Sequence, residues 1–301
     1  MKDIDRINQL KKEKNAVIMA HYYVDGEIQK IADEVGDSYY LSKKASETDA
    51  DKIILCGVSF MGESAKILNS DKEVYLPDRT ADCPMAHMIE EDLIEEMRQN
   101  YEDLAVVCYI NSTAETKTYS DVCVTSSNAV KIVKELPNHN IFFIPDGNLG
   151  RYVADQVPDK NIILNKGYCP IHQKITVEKV KDAKTAHPEA VFAAHPECTY
   201  DVLKEADYVG STSGIIEYVT ASDKKEFIIG TEIGIFYQLK EKNPDKIFYP
   251  VMENQICEDM KKLSLEQILE ILEGGGEEVQ VAEGVREKSL IPLERMLHLG
   301  S

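Results

Sequence analysis

The chain has no tryptophan, no two cysteines at CxxC spacing and no GxGxxG or GxxxxGK loop. A dinucleotide fingerprint, a P-loop and a paired-thiol redox motif are therefore excluded as carriers of function. No apolar run approaches the roughly 18 residues of a membrane-spanning helix. The opening MKDIDRINQLKKEKN is charged and lacks the apolar stretch of a signal peptide, so the expectation is a cytoplasmic protein. Basic residues are also scarce. Lys and Arg number 34 against 53 Asp and Glu, a net charge of −19, which argues against nucleic acid or an anionic membrane as partner. Any anionic substrate has to be captured locally. What is present is an ordinary globular composition, 43% hydrophobic over 301 residues, enough for two or three domains. The seven cysteines are an odd number and widely spread, which disfavours a disulfide framework.

Apolar segments of strand character, such as Ala16 to Ala20, Val106 to Ile110 and Val191 to Ala194, alternate with helical periodicity, the pattern of βαβ units with buried parallel strands. They also repeat. AVIMAHYY, AVVCYINS and AVFAAHPE align His21, Tyr109 and His195 at separations of 88 and 86 residues. A second register, read as a helical stretch leading to a hydroxyl motif, aligns Ser38, Ser126 and the Ser211-Thr212 pair; a third aligns Gly57, Asp146 and Thr231. A fourth carries thiols: Cys83, Cys169 and Cys257 each follow a short strand and a turn, 86 and 88 residues apart. A unit of about 87 residues suits a small αβα domain rather than a solenoid repeat. The expected fold is α/β, with three pseudo-threefold-related three-layer domains at 1–82, 83–168 and 169–260 around a central active site. Residues 261–284 read as helix and linker, and 285–301 as a helix packing back on the first domain.

In open parallel sheets, ligands gather beyond the carboxyl ends of the strands, and every repeated motif lies just there. Three thiols converging on one axis can hold one metal centre. Zinc with three protein ligands and water is one possibility. A 4Fe-4S cluster with one iron left open as a Lewis acid is another. Cys56, Cys108 and Cys123 lie in apolar strands without counterparts and read as core; Cys198 also has no counterpart. The hydroxyl loops opening helices, TSSNAV and GSTSG, offer backbone N–H groups and helix dipoles to a phosphate or carboxylate. Tyr23 and Glu197 stand two residues beyond His21 and His195, and His172 stands three beyond Cys169, as acid-base candidates.

The residues AHYY, ADEVGDS, GVSFMGESAKIL, YINSTAETK, TSSNAV, PDGNLG, HPEC, GSTSG and GTEIG together resemble the quinolinate synthase family over nearly the whole chain. The resemblance implies a 4Fe-4S cluster on Cys83, Cys169 and Cys257. It also implies condensation of iminoaspartate with dihydroxyacetone phosphate to quinolinate, with loss of phosphate and two waters, on the way to NAD. Carried over by motif, His21, Ser38, Tyr109, Asn111, Ser126, His195, Ser211 and Thr212 would contact substrate, while Tyr23, Glu197 and His172 would move protons. An iminoaspartate-producing enzyme is a conceivable transient partner. A noncatalytic phosphosugar-binding or redox-sensing iron-sulfur protein, and a three-Cys zinc hydrolase, are the competing readings.

Overall fold

The computed structural model describes residues 2 to 300. Three four-stranded sheets account for its strands, all parallel. The first holds β1 (Ala16–His21), β2 (Glu34–Gly36), β3 (Lys52–Cys56) and β4 (Glu73–Tyr75). The second holds β5 (Leu104–Tyr109), β6 (Val122–Val124), β7 (Asn140–Ile144) and β8 (Asn161–Leu164). The third holds β9 (Val191–Ala194), β10 (Tyr208–Val209), β11 (Glu226–Gly230) and β12 (Ile247–Pro250). The strand orders are β2-β1-β3-β4, β6-β5-β7-β8 and β10-β9-β11-β12, one topology used three times.

The inner strands are unbroken runs of Ile, Val, Phe and Ala because helices cover both faces of each sheet. Phe142, Phe143, Phe192 and Phe227 are fully buried, each worth about 1.5–3 kcal/mol of transfer free energy. The repeat extends to polar detail. Asp33, Asp121 and Asp207, one per unit, each accept a hydrogen bond from a strand amide fifteen residues earlier, at Ile18, Val106 and Phe192, at 2.7 to 2.9 Å. Each aspartate thereby closes the crossover from a central strand to its edge neighbour.

Nine of the twelve strands coincide with apolar runs of the sequence, whereas β2, β6 and β10 do not. Their segments were expected to be helical up to the hydroxyl residues, but Val35, Val122, Val124 and Val209 pair with the neighbouring central strand instead. The helices begin only at the hydroxyl motifs, as Ser38–Glu47, Ala129–Glu135 and Thr212–Ala221. The C-terminal helix Glu283–Gly300 lies in a seam. It touches the helix Ser59–Leu68 of the first unit but also the helices Ala114–Thr118 and Ala129–Glu135 and strand β6 of the second. Before it, the helix Leu265–Leu272 packs on the helix Lys2–Glu13, then stops at Gly274, whose φ of +101° favours glycine. No helix among the described residues is long and apolar enough to cross a membrane.

Candidate active site

In each unit the order 2-1-3-4 puts the topological switch point beside the first strand, so the crevice opens at the carboxyl ends of β1, β5 and β9. His21 and Tyr109 end β1 and β5, and His195 follows β9. All three line one cavity of about 180 Å³. Ser38, Asn111, Ser126 and Thr212 join them from the hydroxyl and asparagine loops, Tyr23 and Glu197 from turns, and His172 from the short helix Pro170–Gln173. Cys83, Cys169 and Cys257 open onto the same space. Ser211 alone among the expected residues lies outside this lining; its oxygen caps the helix Thr212–Ala221 by accepting from Gly214 N at 3.1 Å.

The caps differ by unit, and the difference decides which hydroxyl is free. In the first unit Asp37 caps the helix, accepting from Tyr40 N at 3.0 Å, which leaves the Ser38 hydroxyl to the cavity. In the third, capping by Ser211 leaves Thr212 to bond the Tyr23 phenol at 3.0 Å. In the second, Ser126 lies 3.1 Å from His195 Nε2. His195 Nδ1 accepts from the Glu197 amide, so its ring proton belongs on Nε2 and His195 donates to Ser126.

Glu197 is the electrostatic centre. Its Oε2 lies 2.7 Å from His172 Nδ1 and 3.5 Å from His195 Nδ1, with all three side chains buried. Burial opposes its charge, but the two imidazoles and hydrogen bonding from His172 and Tyr109 outweigh that and hold the carboxyl below its ordinary range. Burial lowers His21 to about 4 and His195 to about 3, so both are neutral near pH 7. Burial and the Glu197 charge raise the phenols of Tyr23 and Tyr109, which stay protonated as donors. Asn111 Oδ1 is buried without a protein partner in a residue that faces the cavity.

The three cavity thiols fit a shared metal body. Burial and neighbouring negative groups raise each of them, and no Lys or Arg lines the cavity, so a cationic centre is what would ionise them. Among the described residues, the only three metal-binding donors within 4.8 Å of one another are Cys169, His172 and Glu197. The three sulfurs are therefore spread wider than the ~3.8 Å separations that ~2.3 Å Zn–S bonds impose around one ion. A body of several metal atoms suits that spread. Cys56, Cys108, Cys123 and Cys198 are fully buried and lie outside the cavity, as core residues should.

Residues 5–298 match the family model of quinolinate synthetase A proteins. The chain belongs to that family. The quinolinate synthase of Fusobacterium nucleatum subsp. nucleatum is 57% identical over 295 residues, covering 98% of both chains. That of Alkaliphilus metalliredigens is 50% identical over 296 residues, again 98% of both, and that of Clostridioides difficile 48% over 291, covering 97% and 96%. Within this quinolinate synthetase A chain, sequence reasoning left three supporting residues without a role. Thr231 bonds Tyr23 and His172. Glu232 accepts from the amides of Cys257 and Gly234. Lys261 pairs with Glu232 at 3.3 Å and donates to the Tyr23 carbonyl. The signal was the third register, which marked Thr231 by position but gave no partner for it.

Proposed function

We propose that this chain is a quinolinate synthase of NAD biosynthesis, acting in the cytoplasm, which condenses iminoaspartate with dihydroxyacetone phosphate and releases phosphate and two waters. Cys83, Cys169 and Cys257 would hold a 4Fe-4S cluster, which when bound supplies an electrophile for a substrate hydroxyl or carbonyl. The observation that carries the reading is the meeting of these thiols, one per repeat, with the Glu197-His172-Tyr109 network in a single cavity. The units are taken as 1–82, 83–168 and 169–260, with 261–284 a helix and linker and 285–300 a helix seated in the seam of the first and second units rather than completing the first alone.

Both substrates are anionic, and the lining offers neutral donors rather than cations: the hydroxyls of Ser38, Ser126 and Thr212, the Asn111 amide and the imidazoles of His21 and His195. Ser211 contributes by fixing the helix end that presents Thr212. Phosphate loss, isomerisation and dehydration all move protons. Tyr23 and Tyr109 remain protonated and can donate, while Glu197 remains ionised and can accept, His172 at its side passing the proton on. A cavity walled by residues of all three units would also limit the water around a reactive imine.

The test is an anaerobic assay of cluster-loaded protein with iminoaspartate generated in place and dihydroxyacetone phosphate, reading quinolinate; no product would sink the reading. Iron, sulfide and zinc are measured on the same sample. One zinc and no sulfide would favour a zinc enzyme, and a loaded cluster without turnover a binding or sensing protein. Cys83→Ser, Cys169→Ser and Cys257→Ser should each abolish the brown cluster absorbance, whereas Cys56→Ser, Cys108→Ser and Cys123→Ser should keep it.

A further inference from the structure

Among the described residues a single lysine is fully buried, and it stands one side chain behind the cavity wall. Lys117 lies in the short helix Ala114–Thr118 of the second unit. Its ammonium is 5.8 Å from the centre of the Phe60 ring, and Phe60, from the first unit, lines the cavity. It forms no ion pair within 4.0 Å among the described residues. A buried ammonium without a close carboxylate is a poor source of stability, since a methionine of similar length would fill the space without the desolvation cost.

What the ammonium holds is a loop. Strand β5 ends at Tyr109, and residues 110–113 turn into the helix. Tyr109 and Asn111 line the cavity, whereas Ser112 turns away, fully buried, with its hydroxyl 2.9 Å from Cys108 Sγ. Helical side chains lean toward the N-terminus, so Lys117 reaches back past the first residue of its helix and donates to the Ser112 carbonyl. The far end of the loop is fixed from the first unit. Glu63, which shares the helix Ser59–Leu68 with Phe60, accepts from the Ala114 amide at 2.9 Å. Burial raises the Glu63 carboxyl, and the Lys117 charge and the Ala114 amide act against that rise. Burial also raises the Cys108 thiol, but a hydrogen bond from Cys123 and the Lys117 charge bring it below its ordinary value, to about 7. One positive charge thus faces a thiol of β5 and a carboxyl of the first unit, with the loop between them.

We propose that Lys117 is a positioning residue for the loop that carries Tyr109 and Asn111, with Glu63 its counterpart across the seam. Together they set where the two cavity side chains enter, so the first unit takes part in placing the contacts of the second. The inference rests on the function proposed above, which assigns Tyr109 and Asn111 to the substrate.

Lys117→Met keeps the length of the side chain and removes its charge. In cluster-loaded enzyme the expected result is a ten- to hundredfold fall in kcat/KM, most of it in KM, with unchanged cluster absorbance and a melting temperature no lower than that of wild type. Glu63→Ala should reproduce that fall, while Glu63→Gln, which keeps an acceptor for Ala114, should stay within threefold of wild type. A methionine enzyme within twofold of wild type would overturn the proposal. So would one that melts early with KM unchanged, because the lysine would then serve the fold alone. Should the methionine protein not fold, the Glu63 pair decides, and equal activity of the alanine and glutamine enzymes overturns the proposal. Hydrogen exchange needs no turnover: it should quicken over residues 109–114 in Lys117→Met and stay unchanged in β1 and β9, and an unaltered loop overturns the proposal. A wild type that makes no quinolinate defeats the function, and the exchange measurement then judges the loop by itself.

Discussion

The first and second units share one continuous apolar core, whereas the third keeps its own. The shared core runs from Ile18 and Ile54 through Val107 and Phe143 and takes in Leu293 and Met296 of the C-terminal helix. The third unit has two clusters on opposite faces of its sheet, one with Phe227 and Ile229, the other with Phe192 and Ile228. Its apolar contacts with the first unit are few: Tyr22, with Tyr23 and Val35 partly buried beside it, on one side, and Met260 at the edge of the shared core on the other. The remaining ties are largely polar: Asp37 with Ser213 at 2.6 Å, Tyr23 with Thr231, Ser126 with His195, and Asn148 Nδ2 with the Glu197 carbonyl at 3.1 Å. Three copies of one fold are thus joined in two ways. An apolar seam makes the first pair one body, and a polar junction sets the third against it around the cavity. Apolar seams govern stability; a polar junction can tune geometry at small energetic cost.

Substitutions on either side of this divide should separate activity from stability. Glu197→Gln, at the heart of the polar junction, should lower kcat by about 10³-fold, within the range for a lost acid-base group, while the melting temperature stays within a few degrees. A collapse of the fold instead would make the junction structural. Leu293→Ala, in the apolar seam, should cost about 2–5 kcal/mol in urea unfolding but leave turnover per folded molecule intact. Loss of turnover without loss of stability would reverse the comparison.

Acid should act on the junction first. Folded His21 and His195 stay neutral to about 4 and 3, but in the unfolded chain both take a proton near 6.5, so unfolding takes up protons below that pH. The two together should remove up to about 2.7 kcal/mol of stability per pH unit between about 6.5 and 4. Melting of cluster-free protein across that range measures it, and His195→Asn should flatten the slope; an unchanged slope would put the acid sensitivity elsewhere. The smallest effect is expected for Ser213→Ala, which removes one tie from Asp37 and should cost about 0.5–1.5 kcal/mol. Hydrogen exchange should register it as lost protection in β9 and β11 before any change in β1 or β5.

Much of this architecture was legible in the sequence because buried parallel strands are written as apolar runs and repeat in register. The edge strands β2, β6 and β10 were not, being two or three residues long with a single neighbouring strand, next to helix starts that dominate the local pattern. At the site, Cys83, Cys169, Cys257 and the His21 position were found by register alone, since each follows a strand. Thr231 and Lys261 escaped because their meaning lies in partners 208 and 238 residues away in the chain. Periodicity reports where a side chain sits along its own unit and says nothing of what approaches from another. The seam position of the last helix was missed for the same reason: its apolar spacing does not say which units it joins.

The aspartates at 33, 121 and 207 have a further consequence. Each fastens its own first crossover with a bond fifteen residues long in sequence, so that connection is tied within its unit rather than by the loops at the axis. The loops that face the axis are then released from that task and free to diverge one at a time. One address in the fold, the end of the first strand, has come to hold imidazole, phenol and imidazole at His21, Tyr109 and His195. Near-symmetry of the frame is what allows three unlike side chains to surround a molecule that has no symmetry of its own.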